Sequence, residues 1–92
     1  MPPNLNHEQK TLQILLRQVR KESGLSQQEL AVSLEKPQSF VSKYESGERR
    51  LDVIELRQVC QQIGIEFVVF IERLEKALAI EDEGKSKISQ SG

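Results

Sequence analysis

The chain has 92 residues, enough for one domain and not two. Hydrophobic residues make up 37%, charged residues 29% and aromatics only 4%, a composition that points to aliphatic helix packing rather than a large β-sandwich core. The net charge is −1, without the strong basic excess expected of a protein that coats nucleic acid nonspecifically.

The charge is unevenly spread. Residues 1–64 carry nine basic and eight acidic side chains, and residues 65–92 carry four and six. Any basic surface must therefore be assembled in space. One cysteine, Cys60, excludes an internal disulfide framework. The longest apolar run, Phe67 to Ile71, is far too short to span a membrane. No charged segment followed by an apolar stretch marks a secretory signal, so a cytoplasmic location is expected.

In chain order, residues 1–6 carry Pro2 and Pro3 and are expected to be a flexible N-terminus. Asn6-His7-Glu8-Gln9 has capping-box spacing and predicts the start of a first helix. Leu12, Leu15, Leu16 and Val19 fall on one face of it, and Gly24 suits the left-handed residue that ends it. Ser26-Gln27-Gln28-Glu29 is a second capping box, with Leu25 and Leu30 at hydrophobic-staple spacing. The second helix it opens is expected to run to about Leu34, with Leu30, Ala31 and Leu34 inward. After the two-residue turn Glu35-Lys36, Pro37 suits the first turn of a third helix that ends near Ser46 with Gly47 as its cap.

Asp52-Val53-Ile54-Glu55 resembles a third box and predicts a fourth helix with Leu56, Val59, Cys60 and Ile63 inward, closed by Gly64. A fifth helix is expected from near Glu66 to about Ile80. The domain thus covers residues 7–80, and residues 81–92 form a polar tail expected to be flexible. No sustained alternation argues for a strand, and the fold class is all-α with five helices.

The turn between the second and third helices is so short that the two must cross in contact, and Ala31 is small enough to permit it. On the third helix, Pro37, Phe40, Val41 and Tyr44 share one arc. Gln38, Ser39, Ser42, Lys43 and Ser46 share the other, which holds hydroxyls, an amide and an amine and no acid. Solvated helix faces usually mix Glu and Lys for pairing. This arc instead matches the base edges of the major groove: Gln can bond adenine bidentately, Lys can donate to guanine, and Ser can bond several bases.

Residues 25–50, LSQQELAVSLEKPQSFVSKYESGERR, resemble the Cro/CI-type helix-turn-helix of the XRE family of lambda-repressor-like domains, with the helix-turn-helix itself at about 26–46. The similarity extends more weakly over residues 8–78. Leu25, Gln27, Glu29, Leu30, Ala31, Leu34, Val41, Glu45 and Gly47 carry it. The resemblance implies a five-helix lambda-repressor-like DNA-binding domain of a bacterial transcription regulator that binds a palindromic operator in double-stranded DNA as a homodimer.

It further implies that Gln38, Ser39, Ser42 and Lys43 meet bases, and that Gln27 bonds a phosphate and buttresses Gln38. Arg49 and Arg50 look like phosphate clamps, with Lys36 a weaker candidate. Arg20 pairs with Glu45 in related domains and is thereby held near a phosphate. Glu35 departs from the pattern, where the turn often has Gly. Either the turn is not left-handed, or it is strained.

Phe67, Ile71, Leu74 and Leu78 form a narrow stripe on the fifth helix, with Val68, Val69, Phe70 and Ala77 outside it. A helix apolar on so many sides needs two surfaces to pack on, its own domain and a second copy. Phe67, Val68, Phe70, Ile71, Leu74 and Leu78 are the expected dimer contacts, and Ile14 and Ile54 lie off their helices' inner faces. A second function class stays open: an antitoxin-type interaction module that neutralises a toxin-like protein partner. An enzyme is not expected, because no phosphate loop, nucleophile elbow or paired acids occur. No cofactor or metal is expected either, with His7 the only histidine and Cys60 placed on an inner face.

Overall fold

The computed structural model describes the backbone of residues 5–90 and the side chains of residues 7–80. Five helices follow in order: α1 Leu5–Glu22, α2 Gln27–Leu34, α3 Gln38–Ser46, α4 Val53–Ile63 and α5 Phe67–Gln90. No strand occurs among the described residues.

Local chemistry sets most of the helix ends. At α2, the Ser26 hydroxyl accepts from the Glu29 backbone N–H at 3.0 Å, while the Glu29 carboxylate accepts from the Ser26 N–H at 2.8 Å. Asp52 and Glu55 repeat the reciprocal pair at the start of α4, at 2.8 and 3.0 Å. Each such cap contributes about 1 kcal/mol. Gly24, Gly47 and Gly64 all have left-handed φ, at 79°, 91° and 95°. Gly47 is doubly constrained, because a Cβ there would lie 2.8 Å from the Gln13 amide nitrogen of α1.

Three boundaries differ from the sequence expectation. The first helix already begins at Leu5, so Asn6 lies inside it and does not cap it. Pro37 is the N-cap of α3, with extended backbone (φ −69°, ψ 156°), and Gln38 is the first helical residue. The ring fixes φ for either position, so sequence could not separate them. The fifth helix continues to Gln90 instead of ending near Ile80. No proline interrupts residues 81–90, and Glu, Lys and Gln there are good helix formers. Residues 1–4 of the expected loose N-terminus lie outside the described residues.

The turn after α2 resolves the question raised by Glu35. It is left-handed (φ 59°, ψ 42°), the only described non-glycine residue with positive φ. Its N–H bonds the Val32 carbonyl at 3.0 Å, and the Lys36 N–H bonds the Ala31 carbonyl at 2.9 Å. Those bonds hold a conformation that costs an L-residue about 1–2 kcal/mol.

The core draws on all five helices: Leu15, Leu16 and Val19; Leu30 and Ala31; Val41 and Tyr44; Leu56, Val59, Cys60 and Ile63; and Phe70. Ala31 is fully buried where α2 packs on α3. Burial pushes the Cys60 thiol up to about 11, which makes it an inert core residue.

Phe70 is a correction. Its place outside the α5 stripe suggested a self-association contact, yet it is 0% exposed and belongs to the domain's own core. Phe67, Ile71 and Leu74 also pack partly against that core. The large apolar residues of α5 that face outward among the described side chains are Val68, 69% exposed, Val69 and Ile80. Leu74 and Leu78 line a shallow groove with Leu12 of α1 and Arg50. Arg73 of α5 and Glu22 of α1 are joined by two hydrogen bonds of 2.9 and 3.1 Å.

Candidate nucleic-acid interface

The α2–α3 unit presents one face of α3 outward. Val41 and Tyr44 are buried beneath it and Phe40 is half-buried. Gln38, Ser39, Lys43 and Ser46 are exposed and Ser42 is half-buried. The one acid on α3, Glu45, is turned in: its side chain keeps 4% of its exposure. The outward edge of α3 is therefore acid-free.

Glu45 is where three helices meet. Arg20 of α1 donates to it through Nε at 2.7 Å and Nη2 at 3.0 Å. Gln27 of α2 donates through Nε2 at 3.0 Å. Gln38 in turn donates from Nε2 to the Gln27 carbonyl oxygen at 3.3 Å. A hydrogen-bonded line thus runs from a buried guanidinium to the first residue of the exposed helix.

Arg20 also donates Nη1 to the Leu25 carbonyl at 2.7 Å, and bonding to Glu45 raises its already high pKa. The resemblance implied that Arg20 pairs with Glu45 and lies near a phosphate. Its 6% exposure and three inward hydrogen bonds make it an internal tie, not a surface cation.

The basic residues flanking α3 fall into two groups. Arg49 grips Glu55 with Nη1 at 3.1 Å and Nη2 at 2.7 Å, and Nη1 also bonds the Arg50 carbonyl. Its guanidinium lies 4.7 Å from the Phe40 ring centroid, and Lys36 Nζ lies 5.6 Å from the same ring. Arg49, expected as a phosphate clamp, is thus committed to a strut between the α3–α4 loop and α4, leaving Nε and one Nη2 hydrogen for anything else. Arg50 is exposed and borders the groove between α1 and α5.

Sequence reasoning missed the Gln27–Glu45 bond and the Arg49–Glu55 pair. Glu55 was already accounted for as the partner of Asp52, and no local signal marks an arginine six residues upstream as its second partner.

A helix-turn-helix family profile matches residues 16–70. The chain belongs to the XRE-type helix-turn-helix family. An XRE-family like protein from Pseudomonas syringae pv. tomato str. DC3000 is 44% identical, aligns over 78% of this chain and 88% of its own, and superposes with a TM-score of 0.74. A mutant of the restriction-modification controller protein C.Esp1396I gives a TM-score of 0.75 at 23% identity, over 79% of this chain and 97% of its own. The wild-type form of that controller gives 0.73 at 24%, over 78% and 95%. These last two speak to the fold. The curated proteins contain no match.

As a member of the XRE-type family, the protein is a DNA-binding transcription regulator and not an enzyme. No described helix is long and apolar enough to cross a membrane.

Proposed function

We propose that this XRE-type protein is a sequence-specific repressor that occupies a palindromic operator as a homodimer in the bacterial cytoplasm. The observation that carries the reading is the acid-free outer edge of α3, with its first residue, Gln38, held by the line of bonds through Gln27 to Glu45. Gln38, Ser39, Ser42 and Lys43 meet base edges. Gln27 meets phosphate through its backbone N–H, at the N-terminus of α2 where such groups favour anions, together with Lys36 and Arg50. Arg49 contributes only the donors its strut leaves over. A domain seated on an operator that overlaps a promoter represses by occupying it. The second copy docks on the outward side of α5, around Val68 and Val69, and twofold symmetry sets the two α3 helices about 34 Å apart, one turn of DNA.

Selection of bound sites from a random duplex pool, followed by titration of variants, tests this. Gln38→Ala or Lys43→Ala is expected to cost about 1–3 kcal/mol on the selected site and to relax preference at one base position. Arg50→Ala is expected to weaken all DNA alike and to lower the salt slope by about one. Equal losses by Gln38→Ala on selected and random DNA overturn base reading. Sedimentation showing only monomer at micromolar concentration overturns the dimer.

A further inference from the structure

The direction of each amide in the Glu45–Gln27–Gln38 line is chemically forced. An ionised carboxylate can only accept hydrogen bonds. Glu45 accepts two N–H bonds from the Arg20 guanidinium in an ion pair, and its side chain is almost sealed from water. Gln27, 3.0 Å away, must therefore turn its NH2 group inward and its carbonyl oxygen outward. That oxygen is the acceptor Gln38 meets, so Gln38 must point its own NH2 toward Gln27. Side-chain amides are otherwise ambiguous in direction; here the carboxylate removes the ambiguity for both. Gln38 is left with its carbonyl oxygen and one N–H for a ligand.

We infer that Glu45, which touches no base, is a positioning residue for base preference: by fixing the polarity of Gln27 and then Gln38, it makes Gln38 a reader of adenine over guanine. In the major groove adenine offers a donor, N6–H, beside an acceptor, N7. This matches one carbonyl oxygen and one N–H. Guanine offers two acceptors, O6 and N7, and would set O6 against the Gln38 carbonyl. Rotating Gln38 to present both N–H groups would bring its oxygen against the Gln27 oxygen. The inference rests on the proposed reading that Gln38 reaches a base edge.

The test compares duplexes that differ only at the base pair where Gln38→Ala abolishes preference. Wild type is expected to prefer adenine over guanine there. Gln27→Leu breaks the line but leaves the Arg20–Glu45 pair in place. It is expected to shrink the adenine-over-guanine ratio by about fivefold or more, the low end for a bidentate base contact, with the salt slope unchanged. Glu45→Gln, which can both donate and accept, is expected to do the same. Should that variant not fold, Gln27→Leu decides alone.

An unchanged ratio in folded Gln27→Leu overturns the inference, as does a wild-type preference for guanine at that position. If Gln38→Ala alters preference at no position, the base-reading proposal itself fails and takes this inference with it.

Discussion

Arg20 and Glu45, 25 residues apart in sequence, meet through two hydrogen bonds with only 8% and 4% of their side-chain surfaces exposed. Removing one partner leaves an uncompensated charge in a place water scarcely reaches. Arg20→Ala or Glu45→Ala is expected to destabilise the fold by about 3–5 kcal/mol. Replacing both with apolar residues of similar volume, Arg20→Met with Glu45→Leu, is expected to cost far less. Urea unfolding of the three variants checks this; additive losses in the double variant would contradict a coupled buried pair.

Tyr44 gives a prediction of opposite sign. Its ring packs edge-on to Phe40 in the core, but its hydroxyl is buried with no hydrogen-bond partner among the described residues. Burial pushes the phenol pKa up, since the charged form has nowhere to be solvated. Tyr44→Phe removes an unsatisfied polar group while keeping the ring. It is expected to be neutral or to stabilise by up to about 1 kcal/mol, read as the urea midpoint. A loss above that would reveal a partner for the hydroxyl.

The left-handed Glu35 offers a second stabilising change. Glycine adopts φ near 59° without the Cβ clash. Glu35→Gly is expected to raise stability by about 1 kcal/mol and Tm by several degrees, with no loss of DNA binding. A lower Tm would mean that the Glu35 side chain contributes more than its backbone strain costs.

Glu55 predicts a pH dependence. Hydrogen bonds from Arg49, and next from the Asp52 backbone N–H, hold its pKa at about 2, below the ordinary 4.5. The folded protein therefore binds this proton less tightly than the unfolded chain. The stabilisation is complete above the unfolded value and is lost as pH falls from about 4.5 toward 2. Thermal unfolding of wild type and Glu55→Gln is expected to show a Tm gap that is constant from neutrality down to about pH 5 and closes by about pH 2. A gap that does not change with pH would remove Glu55 as its source.

The parts of this fold that were legible in sequence are those governed by neighbours a few residues apart. Ser26 with Glu29 and Asp52 with Glu55 announce helix starts because both partners lie within one turn. Gly47 announces a helix end because its φ depends on its own missing Cβ. The inward arc of α3 was legible too, from the spacing of Val41 and Tyr44. What sequence did not disclose depends on how helices meet. Phe70 reads as outward only until α5 is laid on the core, when its side of the helix becomes the buried one. Arg49 reads as a loose loop cation until the start of α4 brings Glu55 beneath it. Arg73 and Glu22 stand 51 residues apart, and nothing local links them.

The convergence of α1, α2 and α3 on one carboxylate has a thermodynamic consequence for docking. A recognition element that had to be ordered on contact would surrender conformational freedom and lower the affinity by that amount. Here the spacing and tilt of the bihelical unit are already set by Arg20 and Gln27 gripping Glu45 from two sides. Most of the loss on meeting a duplex is then that of two nearly rigid bodies coming together, and the entropy of assembling the reading surface has already been spent in folding.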